Sequence, residues 1–133
     1  MGKNRQSKKA VLPTPGELRL LQILWRIGRG TIDEIVKASE QHPPPNYKTV
    51  QAWLRIMETK GQVNHKQKGR AFVFWPTVAR AEVHRSSLRH LLTKYFGGSR
   101  SELLIELLSD EHISREELRE LETLIRSKRQ GQL

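Results

Sequence analysis

Apolar residues recur along this chain at two spacings, and the change from one to the other divides it. From Leu18 to Ile27 they fall three and four apart: Leu18, Leu21 and Trp25 form a stripe that Leu20, Ile23, Leu24 and Ile27 widen. That is the period of an amphipathic helix. Thr14 stands three residues before Glu17, with Pro15 between them in the first turn, and Gly28 and Gly30 follow the last apolar position. A hydroxyl that accepts from the third helical amide, with a carboxylate reaching back to the cap amide, starts a helix, and glycine stops one. The same pair recurs as Thr31–Glu34, Ser99–Glu102 and Ser114–Glu117. It predicts a second helix from about Ile32 to Ser39, with Ile32, Ile35 and Val36 buried. The three prolines of QHPPPN make a stiff turn. Asn46 caps a third helix that ends near Lys60-Gly61.

After Gly61 the period becomes two. Gln62–Lys66 and Ala71–Trp75 read as strands joined by the loop KQKGR around Gly69. Phe72 and Phe74 share one face of the second strand, Ala71, Val73 and Trp75 the other, and Pro76 ends it. Beyond it the helical period returns. His84, Leu88, Leu91 and Tyr95 form a stripe joined by Leu92, and Gly97-Gly98 breaks it. Leu103, Leu104, Leu107 and Leu108 follow Ser99. Leu118, Leu121 and Ile125 follow Ser114, ahead of Arg126, Lys128 and Arg129, whose charges suit a helix C-terminus. The expected fold is mainly α with a small β-hairpin wing. It comprises a basic arm over 1–12, a winged helix-turn-helix domain over 13–76 and a helical region over 77–133.

Charge sharpens this division. The 133 residues carry a formal charge of +10. Residues 1–76 hold 14 Lys and Arg against 5 Asp and Glu, whereas 77–133 hold 10 against 9, so the first part carries nearly all the excess. A basic domain joined to a balanced one points to a polyanion partner and a separate interaction module. There is no cysteine, which excludes disulfides and thiolate metal sites and suits a reducing compartment. No apolar run is long enough to span a membrane. MGKNRQSKKA is basic but precedes no long apolar run, so it is not read as a signal peptide. A cytoplasmic protein is expected.

Winding the third helix at about 100° per residue puts Tyr47, Val50, Trp53, Leu54 and Met57 on one side. Lys48, Gln51, Ala52, Arg55 and Thr59 fall on the other, offering the donors that reach base edges and phosphates. A polar helix face is more often simply solvated. Here, however, the second helix, a tight turn and a hairpin surround it, and in a helix-turn-helix the second helix of the motif enters the major groove. Lys66, Lys68 and Arg70 at the hairpin tip suit phosphates, which position a protein without reading sequence. Signals for an enzyme are missing. His42, His65, His84, His90 and His112 are scattered with no pair at the helical i, i+4 spacing, and neither a phosphate-cradling glycine loop nor a nucleophile elbow occurs. No catalytic residue, metal or cofactor is assigned.

Several strings, in order, resemble the penicillinase-repressor family of bacterial winged-helix repressors. They are ELRLLQILWRIGRGTIDEIV, YKTVQAWLRIMETKG, KGRAFVFWP and LLTKYFGGSRSELLIELLSDEHISREELRELETLI. The resemblance implies a homodimeric repressor that binds an inverted-repeat operator on double-stranded DNA. Lys48, Thr49, Gln51, Ala52 and Arg55 take the recognition positions, with Arg70 and its neighbours on the wing. It also implies that the C-terminal helices dimerise. Leu88, Leu91, Leu92, Tyr95, Leu103, Leu104, Leu107, Leu108, Leu118, Leu121 and Ile125 are the candidate contacts, since so short a chain offers their stripes no obvious cover. Some relatives are inactivated by a membrane sensor protease that cuts an Asn-Phe bond. Glu106-Leu107 stands at that place here. Copper-responsive relatives use a cysteine cluster that this chain lacks. The alternative is a non-specific nucleic-acid-binding or packaging protein, which differs in binding every duplex alike.

Overall fold

The computed structural model describes residues 12–132; the basic arm expected over 1–12 lies almost wholly outside them. The described residues form α1 (Pro15–Ile27), α2 (Ile32–Ala38), α3 (Tyr47–Thr59), β1 (Val63–Lys68), β2 (Ala71–Pro76), α4 (Arg80–Phe96), α5 (Arg100–Leu108) and α6 (Arg115–Arg129). The fold is mainly helical, with one two-stranded antiparallel hairpin. The chain divides into two compact units, Met1–His90 and Leu91–Leu133, the division falling inside α4. Among the described residues no helix is long and apolar enough to cross a membrane.

Local chemistry sets most of the helix ends. Complete capping boxes open α1, α2 and α6 at Thr14, Thr31 and Ser114. Ser99 supplies half of one: its hydroxyl accepts from the Glu102 amide at 3.1 Å. The other half appears where no hydroxyl advertises it, as Glu82 Oε1 accepts from the Ala79 amide at 3.0 Å ahead of α4. α3 closes in a Schellman turn. Gly61, at φ 81°, donates to Glu58 O, and Gln62 N donates to Met57 O at 2.8 Å.

Two features of the hairpin differ from the sequence reading. Gln62 belongs to the helix exit rather than to β1. The strands also run further towards the tip, pairing from Val63↔Pro76 to Lys68↔Ala71. Only Gly69 and Arg70 form the turn, with Gly69 at φ 66° as a two-residue hairpin connection requires. The polar run KQK carries no apolar alternation, so nothing local marks it as strand; pairing with Ala71–Val73 imposes the extension. A further bridge joins Gly30 to Phe74, N–H to O in both directions, at 2.9 and 2.8 Å. It ties the loop after α1 to the wing.

The core of the first unit collects Leu20, Leu21, Ile23 and Leu24 of α1, Ile32 and Ile35 of α2, and Val50, Leu54 and Met57 of α3. Val63 and Phe74 of the hairpin join them. It reaches past Pro76, for Val78 and Val83 are buried in the same cluster and the Trp25 indole donates to Val78 O at 2.9 Å. Tyr47, expected on the apolar side of α3, is 46 % exposed. It occupies the first helical position, at the edge of the buried arc.

One carboxylate lies inside this unit. Glu17 is 6 % exposed. Its Oε1 accepts from the Thr14 amide at 3.0 Å and from Gln62 Nε2 at 3.3 Å, and its Oε2 accepts from Lys60 Nζ at 2.7 Å. Burial by itself pushes the carboxyl pKa up. Hydrogen bonds from Lys60, the Thr14 amide and Gln62, with the Lys60 charge, outweigh that and hold it below the usual glutamate range. Beside it, Gly16 leaves room for the Trp53 ring: a Cβ there would stand 2.5 Å from Trp53 Cη2.

The second unit is built differently. Neither α5 nor α6 contains a buried residue. Leu91, Tyr95, Leu104, Leu107, Leu108, Leu118, Leu121 and Ile125 are exposed, as is Leu88 on the first unit's part of α4, while Leu92 and Leu103 are half-buried.

Two outcomes follow from the α1 junction. Glu17→Gln removes a charged acceptor and lowers stability at neutral pH by about 1–2 kcal/mol, a range kept small because Lys60 is partly solvated. The folded pKa lies below the unfolded one. The wild-type advantage is therefore complete above the ordinary glutamate pKa of about 4.3 and is lost as pH falls through the depressed value. Urea unfolding across a pH series reads this, and parallel acid limbs for the two proteins would exclude the role given to Glu17. Gly16→Ala gains helix propensity but drives a methyl into the indole, for a net loss of about 1–2 kcal/mol. An unchanged urea midpoint would mean that Trp53 swings aside at no cost.

Candidate nucleic-acid interface

The rotation of α3 is set from below. Val50, Leu54 and Met57 are buried, and Trp53 is half-buried against the core. Asn46 fixes the start, its Oδ1 accepting from the Lys48 amide at 2.8 Å while its carbonyl accepts from the Val50 amide at 3.0 Å. Lys48, Thr49, Gln51, Ala52 and Arg55 are then all exposed, and no acidic residue stands in the first turn. The five expected recognition positions share one helix but not one direction. Lys48, Ala52 and Arg55 point most directly away from the core. Gln51 turns towards the wing and Thr49 towards α1.

Two grooves flank the helix. On the wing side a cleft of about 410 Å³ is lined by Gln51, Arg55, Glu58 and Thr59 of α3, Ile32 of α2, and His65, Phe72 and Phe74 of the hairpin. On the other side a cleft of about 440 Å³ runs between α1, the Ser39–Asn46 turn and α3, with Arg19, Arg26, Thr49 and Trp53 among its walls. Arg26 crosses the end of that turn, donating to Ala38 O and lying 3.5 Å from Glu40 Oε1.

The wing is held against α3 by contacts that its sequence does not announce. His65 Nδ1 meets Glu58 Oε1, and the His65 ring lies edge-on to Phe72 at 5.0 Å and tilted over Phe74 at 5.2 Å. His65 had been one of five scattered histidines. No spacing rule could single it out, because its partners come from a helix and from the opposite strand. The alternation of the hairpin settles where its cations stand. His65 and Gln67 share the face of Phe72 and Phe74, so Lys66 and Lys68 lie on the opposite face with Ala71 and Val73. Arg70 occupies the turn. All three are exposed, but Lys66 and Lys68 do not line the cleft beside Arg55. Glu34 at the start of α2 is held below its usual pKa range first by the Thr31 amide and hydroxyl and, more weakly, by the charges of Lys37 and Lys68. Among the described residues no group of three or more His, Asp or Glu side chains is placed to hold a metal ion.

The arrangement can present a polar helix face, fixed in rotation and capped at its start, beside a basic hairpin. The penicillinase repressor family model matches residues 13–127. The penicillinase repressor of Bacillus licheniformis is 25 % identical over 114 residues, covering 86 % of this chain and 89 % of that protein.

The seating of the wing is open to direct measurement. Phe74 is 7 % exposed and Phe72 is 47 % exposed on the same strand face. Phe74→Ala should cost about 3–5 kcal/mol in urea unfolding, and Phe72→Ala about 0.5. Equal losses would mean that the core does not grip the hairpin at Phe74.

Proposed function

We propose that this chain, which belongs to the penicillinase repressor family, represses transcription as a cytoplasmic homodimer that occupies an inverted-repeat operator. The observation that carries the reading is the exposed face of α3. Lys48, Gln51, Ala52 and Arg55 project from a helix whose opposite side is locked in the core. Such a helix fits the major groove, where Arg and Lys pair with guanine and Gln with adenine. Thr49, at the edge of the face, reaches a phosphate or a thymine methyl. Lys66, Lys68 and Arg70 take phosphates beside the groove, fixing register without reading sequence.

Dimerisation supplies what a single winged helix lacks. One module touches few base pairs and binds weakly at physiological salt. Two on one scaffold raise the effective concentration of the second and read a palindrome. The exposed leucines of α4, α5 and α6 supply the apolar surface for that contact. The Glu106-Leu107 bond, at the position cut in some relatives, stands inside α5. A sensor protease acting there would have to unwind a helical turn.

The excess charge of residues 1–76 favours a second reading, non-specific binding to any duplex. Selection of bound duplexes from a random pool at physiological salt separates the two. The repressor reading expects an enriched inverted repeat whose half-site spacing reports the dimer, and no enrichment would decide for the second reading. On the enriched duplex, Arg55→Ala loses about 1–3 kcal/mol of specific binding. Lys68→Ala weakens specific and random duplexes alike and lowers the salt slope by about one. Equal losses for both variants on both duplexes would remove the division of roles.

A further inference from the structure

An isoleucine stands where α3 should be polar. Ile56 is 49 % exposed, although it lies on the helix that buries Val50, Leu54 and Met57. At about 100° per residue, the direction opposite those three falls between Ala52 and Thr59, with Ile56 roughly 55° to one side and Arg55 roughly 45° to the other. Ile56 therefore projects almost as directly outward as the arginine. Ala52 and Thr49 precede it at i−4 and i−7. The three form a methyl-bearing strip along one edge of the face, while Lys48 and Arg55 hold the other edge. The acid nearest in sequence, Glu58, is turned to the wing and engaged by His65.

The charge of this face fits a polyanion, and an aliphatic side chain among cations can read only one group in a polyanion's groove. In the major groove that group is the C5-methyl of thymine. We infer that Ile56 is a specificity-determining residue that packs on a thymine methyl in each half-site, and that the strip Thr49–Ala52–Ile56 selects thymine over cytosine at that position. The inference rests on the operator-binding reading above and names the base that one edge of the helix reads.

The test removes the same methyl contact from each side. The enriched duplex is remade with each thymine replaced singly by deoxyuridine, which lacks the methyl and keeps the pairing edge. Wild-type protein should lose about four-fold in affinity at one position per half-site, the worth of one buried methyl. Ile56→Ala should bind the thymine duplex more weakly and be indifferent to uracil at that position. Ile56→Val should retain part of the discrimination. Because the side chain is exposed, the thermal midpoint of Ile56→Ala should match wild type. The inference fails if Ile56→Ala keeps the full uracil penalty at every position, or if the enriched half-site has no thymine whose methyl matters. It also fails if the variant loses equally on random duplex, or if it dissociates the dimer in sedimentation, since either result gives Ile56 another contact. These outcomes leave the repressor reading standing. A selection that enriches nothing overturns both.

Discussion

The Glu17 carboxylate is the junction on which the placement of α3 and the hairpin depends. It completes the capping box of α1 and accepts from Lys60 and Gln62, residues 43 and 45 positions away. A buried carboxylate is stable only when its oxygens are met by donors, and here the donors come from the start of one helix and the exit of another. The α3 exit delivers the chain into β1, so the same ion pair sets where the wing begins. The tilt of α3 against α1 and the origin of the hairpin are thus tied to one side chain.

Around that junction the first unit separates holding from presenting. Val50, Leu54 and Met57 are closed off in the core, Trp53 packs over Gly16, and the Gly30–Phe74 bridge stitches the wing to the loop after α1. Leu54 and Met57 are wholly enclosed, while Trp53 and Phe74 also line the clefts that flank α3. What they leave outside are Lys48, Ala52, Arg55 and Ile56, each with its direction fixed by helix rotation. On the operator-binding reading, fixing the face in this way lowers the entropy that binding must overcome. The wing differs in kind. His65 seats it through Glu58 and two aromatic rings, while its lysines are displayed on the far face.

The second unit shows the opposite economy of surface. Among the described residues α5 and α6 contain no buried side chain, and apart from the half-buried Leu92 and Leu103 the leucines and Ile125 are exposed. Apolar surface on this scale is characteristic of a contact that a single chain does not complete. On the dimeric reading, stability and association are coupled, because covering those side chains contributes to both.

Interactions within about four residues were legible in the sequence itself. Thr14, Thr31 and Ser114 cap where their spacing to glutamate says they should. Gly28 and Gly61 stop helices, and the buried side of α3 follows from its period, since the same residues make and read those signals. The candidate face Lys48, Gln51, Ala52 and Arg55 was legible for that reason. Tertiary structure decided whatever depends on a distant partner. Strand pairing drew Gln67 and Lys68 into β1, a polar run without apolar alternation. Gln62 left the strand because Met57 and Glu17 claim it. Val78 and Val83 joined the first core because Trp25 and its neighbours meet them there. Tyr47, on the apolar side by its period, is exposed because nothing packs across from it, a fact no periodicity contains. Periodicity tells which side of a helix is apolar, but only the folded chain determines which apolar residues find cover.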